Sequence, residues 1–148
     1  MLSVLVVDDH APFRRAASTV VAAAPGFELA GEAASGECAV ELAAAFDPDI
    51  VLLDVNMPGI GGIEAARRIA AQGGDAVIVL VSSDRPHELP DAARSCGAAA
   101  SVHKDDFGRE LLVRLLGQVQ QHRLHPPADL LFPRDAELGE DGVDVLLD

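Results

Sequence analysis

The chain has 148 residues, a length typical of one globular domain with a hydrophobic core of its own. Hydrophobic residues make up 49% of it, which excludes a collagen-like or wholly disordered protein. The 24 acidic and 11 basic residues leave a net charge of −13, which opposes binding to nucleic acid or to an anionic membrane. We therefore expect a soluble protein with no direct nucleic-acid partner and no membrane partner.

The first apolar run of the chain is short. It ends at Val7 and is followed directly by Asp8 and Asp9. Such a run is shorter than the apolar segment of a signal peptide or of a membrane span. The expected location of the protein is therefore the cytoplasm.

Short apolar runs alternate with helical stretches at intervals of roughly 25 residues. This alternation is typical of βα units, in which successive strands form a parallel sheet and helices cover it. The predicted strands span residues 3–7, 27–33, 50–55, 76–82 and 100–103. The predicted helices span residues 12–24, 35–46, 62–72, a short segment between Pro90 and Gly97, and residues 106–123. Phe13 is assigned to the apolar face of the first helix.

The composition of the strands indicates their order in the sheet. The first, third and fourth strands are continuous apolar runs, as expected for strands that are covered on both faces. The second strand alternates polar and apolar residues, and the fifth is short and contains Ser101 and His103, so both are placed at edges. The result is an α/β fold with a doubly wound, five-stranded parallel sheet of order 2-1-3-4-5. Its ligand crevice lies at the carboxyl ends of strands one and three.

The carboxyl ends of four predicted strands carry the candidate reactive groups. Asp8 and Asp9 follow the first strand, Asp54 lies at the end of the third, Ser82 ends the fourth, and Lys104 follows the fifth. Three neighbouring carboxylates repel one another unless a cation neutralises them, and their hard oxygen ligands suit Mg²⁺. Lys104, the only lysine of the chain, adds the positive charge that a phosphoryl group requires. The pattern predicts a divalent-metal site with phosphoryl chemistry.

Each of these residues has a simpler interpretation when it is considered alone. Asp8 and Asp9 suit a solvated loop or the N-terminus of a helix, and Lys104 suits an ordinary surface position. Asp54 is harder to explain in this way, because an unpaired carboxylate at the end of an apolar strand is costly to bury. The hypothesis of a shared site therefore depends on the combination of residues.

The strand-end motifs carry a resemblance to a known family. They are VVDDH at 6–10, LLDVNMPG at 52–59, VSS at 81–83, GA at 97–98, and Lys104. Together they resemble the receiver domain of bacterial two-component response regulators over residues 3–122, and most of all receivers of the NarL/FixJ branch. The resemblance implies a flavodoxin-like receiver fold.

The resemblance also implies the chemistry of the site. Asp54 is the expected phosphoacceptor, which takes a phosphoryl group from a sensor histidine kinase or a phosphotransfer protein. Asp9, Asp54 and the backbone carbonyl of Asn56 are the expected Mg²⁺ ligands, and Asp8 assists through water. The only activity expected on this basis is self-phosphorylation and self-dephosphorylation at an aspartate.

The resemblance also implies which residues take part in switching. Lys104 and Ser82 would each bond a phosphoryl oxygen, and the Ser82 bond would alter the surface made by the fourth helix, fifth strand and fifth helix. An output protein or a second protomer is expected at that surface. Asn56 and Asp84, two residues beyond the acceptor and the switch hydroxyl, are the positions on which the phosphoryl lifetime depends in this family.

The chain departs from the family pattern at several points. Ser101 stands where receivers usually have a Tyr or Phe coupled to the switch hydroxyl, and Asp105 stands where many have Pro. No helix-turn-helix domain follows, although the branch usually has one, so a stand-alone receiver is expected at 1–124. Residues 125–148 contain seven acidic residues and one arginine, and are expected to be an acidic C-terminal tail with Pro and Gly. The alternative is that its apolar patches at 130–132 and 143–147 dock on this domain or on a partner.

Two other functions remain as alternatives. The first is an aspartate-nucleophile phosphatase of the haloacid dehalogenase kind, but its Asp-x-Asp motif is not matched by Asp8-Asp9-His10. The second is a receiver-fold interaction module with lost or weakened phosphotransfer, which the substitution at Ser101 favours.

Overall fold

The computed structural model describes residues 1–124 and 143–145, with the side chains of residues 1–120. The strands are β1 (Leu2–Val7), β2 (Phe27–Ala33), β3 (Ile50–Asp54), β4 (Val77–Ser82), β5 (Ala100–His103) and β6 (Val143–Val145). The α-helices are α1 (Ala11–Ala23), α2 (Gly36–Phe46), α3 (Gly61–Ala71) and α4 (Arg109–Leu124). None of the helices in this described part has the length and apolarity needed to cross a membrane.

The strands form one sheet of order β2-β1-β3-β4-β5-β6. Strands β1 to β5 run parallel, which confirms the predicted order of the first five strands. Val7 at the end of β1 lies beside Leu53 of β3, so Asp8 and Asp54 come next at the same edge. The parallel register therefore places both carboxylates at the carboxyl edge of the sheet.

The sheet has a hydrophobic cluster on each face because successive strand residues point to opposite sides. On one face, Val4 and Val6 of β1 pack with α1 and α4. On the other face, Leu5 and Val7 pack with α2 and α3. β1 and β3 are buried along almost their whole length, so the strands that deliver the carboxylates are held on both sides.

The predicted fourth helix is not an α-helix. The chain between β4 and β5 forms two 3₁₀ turns, Pro86–Glu88 and Asp91–Arg94. Pro90 has no N–H to donate to the Pro86 carbonyl, so the first turn cannot continue as an α-helix. Instead, Leu89 donates to the Pro86 carbonyl at 3.3 Å and Ala93 to the Pro90 carbonyl at 2.9 Å, which closes the tighter turns.

The prediction that β5 is an edge strand is also wrong. β6 pairs antiparallel with β5, with Asp144 opposite Ser101 and the flanking residues in register. Ser101 and His103 are also buried, although their polarity suggested an exposed edge. The remainder of the predicted acidic tail, at 125–142 and 146–148, lies outside the described residues.

Gly62 in the first turn of α3 allows that helix to approach the end of β3. Its backbone N–H donates to the Val55 carbonyl at 3.0 Å. A Cβ atom on Gly62 would lie 2.0 Å from the Asp54 carbonyl oxygen, well inside contact distance. The absence of a side chain at this position therefore determines where the backbone of Asp54 lies.

We predict that Gly62→Ala lowers the free energy of unfolding by about 1–3 kcal/mol, because the added methyl group forces α3 away from β3. Urea denaturation measures this change. Gly117→Ala in α4 is the control, because a Cβ there meets nothing within 4 Å and alanine favours the helix. Equal stability of the Gly62 variant and the wild type would contradict this account of the loop.

Candidate functional site

The predicted carboxylates converge at the carboxyl edge of the sheet. Asp8 and Asp9 follow β1, and Asp54 is the last residue of β3. One ligand oxygen from each of the three lies within 4.8 Å of the others. Asp8 and Asp54 are buried and Asp9 is exposed, so the cluster is open to solvent on one side. The three residues that the sequence placed at one edge of the sheet therefore lie close together.

The donor set fits a small divalent cation such as Mg²⁺. All three groups are carboxylates, which are the hard oxygen ligands that this ion prefers. Asp8 Oδ1 accepts a hydrogen bond from the His10 backbone N–H at 2.8 Å, whereas its Oδ2 is buried and lacks an aligned hydrogen bond. That oxygen has lone pairs for a cation, and the exposed Asp9 leaves room for water ligands.

Lys104 brings the positive charge to this cluster. It begins a 3₁₀ turn, Lys104–Asp106, directly after β5, and its side chain is 19% exposed. Its Nζ lies 2.8 Å from Asp8 Oδ2 and 3.7 Å from Asp54 Oδ1. The shorter contact is electrostatic rather than a well-aligned hydrogen bond. Lys104 therefore lies between two of the carboxylates and is closer to Asp8.

The surroundings of Asp54 disfavour its charged form. Burial is the main cause, followed by the negative charge of Asp8, and together they raise the pKa of Asp54 to about 7. The Lys104 ammonium and a hydrogen bond from the Asn56 backbone N–H act in the opposite direction. Near neutral pH the carboxylate is thus partly protonated until more positive charge reaches the site.

Ser82 and Asn56 lie on the side of the site near the end of β4. Ser82, the last residue of β4, is buried, and its Oγ accepts a hydrogen bond from the Asp84 backbone N–H at 3.0 Å. This bond uses a lone pair and not the hydroxyl proton. The Asn56 Nδ2 donates to Asp84 Oδ2 at 3.4 Å. Asn56 and Asp84 are therefore in contact. The sequence had associated them only because each lies two residues beyond a predicted site residue.

Two residues near Asp8 were not predicted as part of the site. The ring of Phe13, in the first turn of α1, lies 4.7 Å from the Lys104 Nζ. Arg14 Nη1 donates to the Asp8 carbonyl at 2.7 Å and its Nε pairs with Glu32 at 3.2 Å. Their proximity to Asp9 in the chain was the available signal, but helical periodicity alone assigned Phe13 to the core.

We predict that Asp54→Asn stabilises the metal-free protein at pH 8 and that this gain disappears towards pH 4. Between these values the folded wild type retains a proton that the unfolded chain has released, so its stability falls as the pH rises through about 7. The expected gain at pH 8 is about 2–4 kcal/mol. Urea denaturation in EDTA across this pH range measures it.

Asp75→Asn, in the exposed loop before β4, is the control, and its effect should not follow this pH dependence. A gain for Asp54→Asn that is the same at every pH would contradict the raised pKa.

Comparison with curated proteins identifies relatives of the chain. It matches the sequence profile of the response regulator receiver domain over residues 4–116. It is 38% identical over 119 residues to the response regulator GacA of Pseudomonas aeruginosa, which is 80% of this chain and 55% of that protein. It is 34% identical over 113 residues to the nitrate/nitrite response regulator NarL of Escherichia coli, which is 76% of this chain and 52% of that protein. The chain spans about half the length of these relatives.

Solved structures have the same fold. The signal receiver domain of NarL from Mycobacterium tuberculosis has a TM-score of 0.73 at 31% identity, with 80% of this chain and 96% of that one covered. The complex of CheX with CheY, BeF₃ and Mg²⁺ from Borrelia burgdorferi has a TM-score of 0.70 at 26% identity, with 80% and 89% covered. The family profile matches most of the length of the chain, and solved receiver domains have the same fold. The chain therefore belongs to the receiver domains of two-component response regulators.

Proposed function

We propose that this receiver is a phosphorylation-controlled switch in which Asp54 accepts a phosphoryl group and Mg²⁺ is the cofactor. The observation that carries the proposal is the arrangement around Asp54, where two further carboxylates and the only lysine of the chain converge. The donor is a phosphohistidine of a sensor histidine kinase or of a phosphotransfer protein. The relatives are supporting observations, since GacA, UvrY and NarL are all named as response regulators.

The transfer is a displacement at phosphorus. A carboxylate oxygen of Asp54 forms the new bond to phosphorus while the bond to the donor histidine nitrogen breaks, which leaves an acyl phosphate. Asp8, Asp9, Asp54 and the Asn56 backbone carbonyl are the proposed ligands of Mg²⁺, which supplies the charge that neutralises the phosphoryl oxygens. The complex of CheY with BeF₃ and Mg²⁺ is a receiver structure that is consistent with such a site.

The ion pair of Lys104 with Asp8 is suited to a role in switching. In the unphosphorylated protein its Nζ lies between Asp8 and Asp54, at 2.8 Å and 3.7 Å. A phosphoryl group on Asp54 brings new negative oxygens close to this ammonium, which then bonds one of them. Ser82 bonds another through its hydroxyl proton. Both bonds pull on the ends of β4 and β5.

The proposed output is a protein contact at the surface that these strand ends support. This surface consists of the 3₁₀ turns after β4, helix α4, and strand β5 with β6 paired to its outer edge, and it is a place for an output protein or a second protomer. Direct binding to nucleic acid is not part of the proposal, because the net charge of −13 opposes it. The protein catalyses only its own phosphorylation and dephosphorylation, and turns over no separate substrate.

A second candidate function is an interaction module in which phosphorylation is weak or absent. Ser101 favours this second function, because it replaces the aromatic residue of β5 whose movement is usually coupled to the switch hydroxyl in this family. The two candidates differ in a single measurement, which is whether the chain becomes labelled at Asp54.

We predict that the chain is labelled by acetyl phosphate or phosphoramidate in the presence of Mg²⁺, and that Asp54→Asn abolishes the labelling. Asparagine preserves the volume of the side chain but removes the nucleophile. Phosphate-affinity electrophoresis and intact mass measure the label, and EDTA should prevent it. Asp75→Asn is the control and should be labelled normally. Labelling that persists in Asp54→Asn, or a wild type that is never labelled, would falsify the proposal.

We predict that Asp84→Leu lengthens the life of the phosphoryl group by at least about threefold, because Asp84 orients the water that attacks phosphorus. Its carboxylate is exposed to solvent and accepts a hydrogen bond from the Asn56 Nδ2 at 3.4 Å, so it lies beside the site within reach of water. Loss of label after removal of the donor gives the lifetime. Asp91→Leu, an exposed acidic residue in the second 3₁₀ turn, is the control. An unchanged or shorter lifetime in Asp84→Leu excludes this role.

A further inference from the structure

We propose that Phe13 is a positioning residue for Lys104, and that its ring, supported by Phe107, holds the ammonium where phosphoryl transfer to Asp54 needs it. This inference rests on the proposed function, since it concerns the same site. Phe13 does not contact the reacting oxygens in this account. It acts through Lys104.

The ammonium of Lys104 lies between an aromatic ring and two carboxylates. Its Nζ is 4.7 Å from the centroid of the Phe13 ring, which is within the range of a cation–π interaction. The contacts with Asp8 and Asp54 are at 2.8 Å and 3.7 Å. A lysine side chain has a flexible four-carbon stem, so one ion pair by itself does not fix the position of the ammonium. The ring restricts those positions to ones near the carboxylates.

Phe13 is itself held by a second ring. Its ring packs edge to face with Phe107, with the centroids 5.9 Å apart and the planes at 64°. Both side chains pack against the core cluster between the sheet and helices α1 and α4. Such an aromatic pair is stabilised beyond the area that it buries. The position of the Phe13 ring is therefore determined by the fold and not by Lys104.

The ring pair also connects the two loops that form this side of the site. Phe13 lies in the first turn of α1, directly after the loop of Asp8 and Asp9. Phe107 ends the 3₁₀ turn that begins at Lys104, and its N–H donates to the Lys104 carbonyl at 3.2 Å. Contact between the rings thus keeps the acidic loop and the lysine loop together.

The test compares variants that keep or remove the aromatic face. Phe13→Leu keeps an apolar side chain of similar size but removes the ring, whereas Phe13→Tyr keeps the ring. We expect the rate of labelling by phosphoramidate with Mg²⁺ to fall about 3- to 30-fold in Phe13→Leu and to be restored in Phe13→Tyr. Phe46→Leu, at the 50% exposed Phe46 of α2, is the control and should label at the wild-type rate.

A spectroscopic measurement separates positioning from a general effect on stability. Because Lys104 is the only lysine, its side-chain signal in NMR spectra of selectively labelled protein is unambiguous. A ring at 4.7 Å shifts that signal upfield. We expect the shift in the wild type and Phe13→Tyr and its loss in Phe13→Leu, while urea denaturation confirms that all three are folded at the assay temperature.

The outcomes distinguish the two proposals. A wild type that is never labelled contradicts the proposed function, and the Lys104 signal then still reports whether the ring positions the ammonium. Normal labelling of Phe13→Leu overturns the positioning role, even if Asp54 is the acceptor. A Lys104 signal that is the same in wild type and Phe13→Leu overturns it as well.

Discussion

The repulsion between Asp8, Asp9 and Asp54, and its partial relief by Lys104, is the constraint on which the structure of the site depends. Two of these carboxylates are buried, and their negative charges repel each other unless a cation neutralises them. Burial, and after it the negative charge of Asp8, raises the pKa of Asp54 to about 7. The site therefore favours additional positive charge, which the proposed divalent cation would supply.

The rest of the domain holds these charges in place against their repulsion. β1 and β3 are apolar and buried, so the carboxylates at their ends cannot separate without moving the core. Gly62 lets α3 approach the backbone of Asp54 closely. On the other side, the ring pair of Phe13 and Phe107 connects the acidic loop to the lysine loop. The free energy of core packing thus maintains an arrangement that electrostatics alone opposes.

The differences between prediction and structure lie where local patterns are weak. The segment between β4 and β5 has prolines at 86 and 90, and the first 3₁₀ turn ends there because Pro90 has no N–H for the Pro86 carbonyl. A hydrophobic pattern does not represent such a missing donor. β6 is distant in sequence from β5, and nothing near Ser101 indicated that a later segment pairs with it. The polar side chain of Ser101 suggested an exposed edge strand, because a sequence pattern contains the polarity of a residue but not the segments that pack against it.

The sequence by itself determined the five parallel strands, their order and the group of residues at their carboxyl ends, because apolar periodicity and strand direction are local properties that parallel pairing converts into a shared edge. Only the tertiary structure decided that Lys104 is closer to Asp8 than to Asp54, that burial raises the pKa of Asp54, and that Phe13 lies over the ammonium. These depend on distances of a few ångströms between residues far apart in the chain, which packing sets and periodicity does not encode.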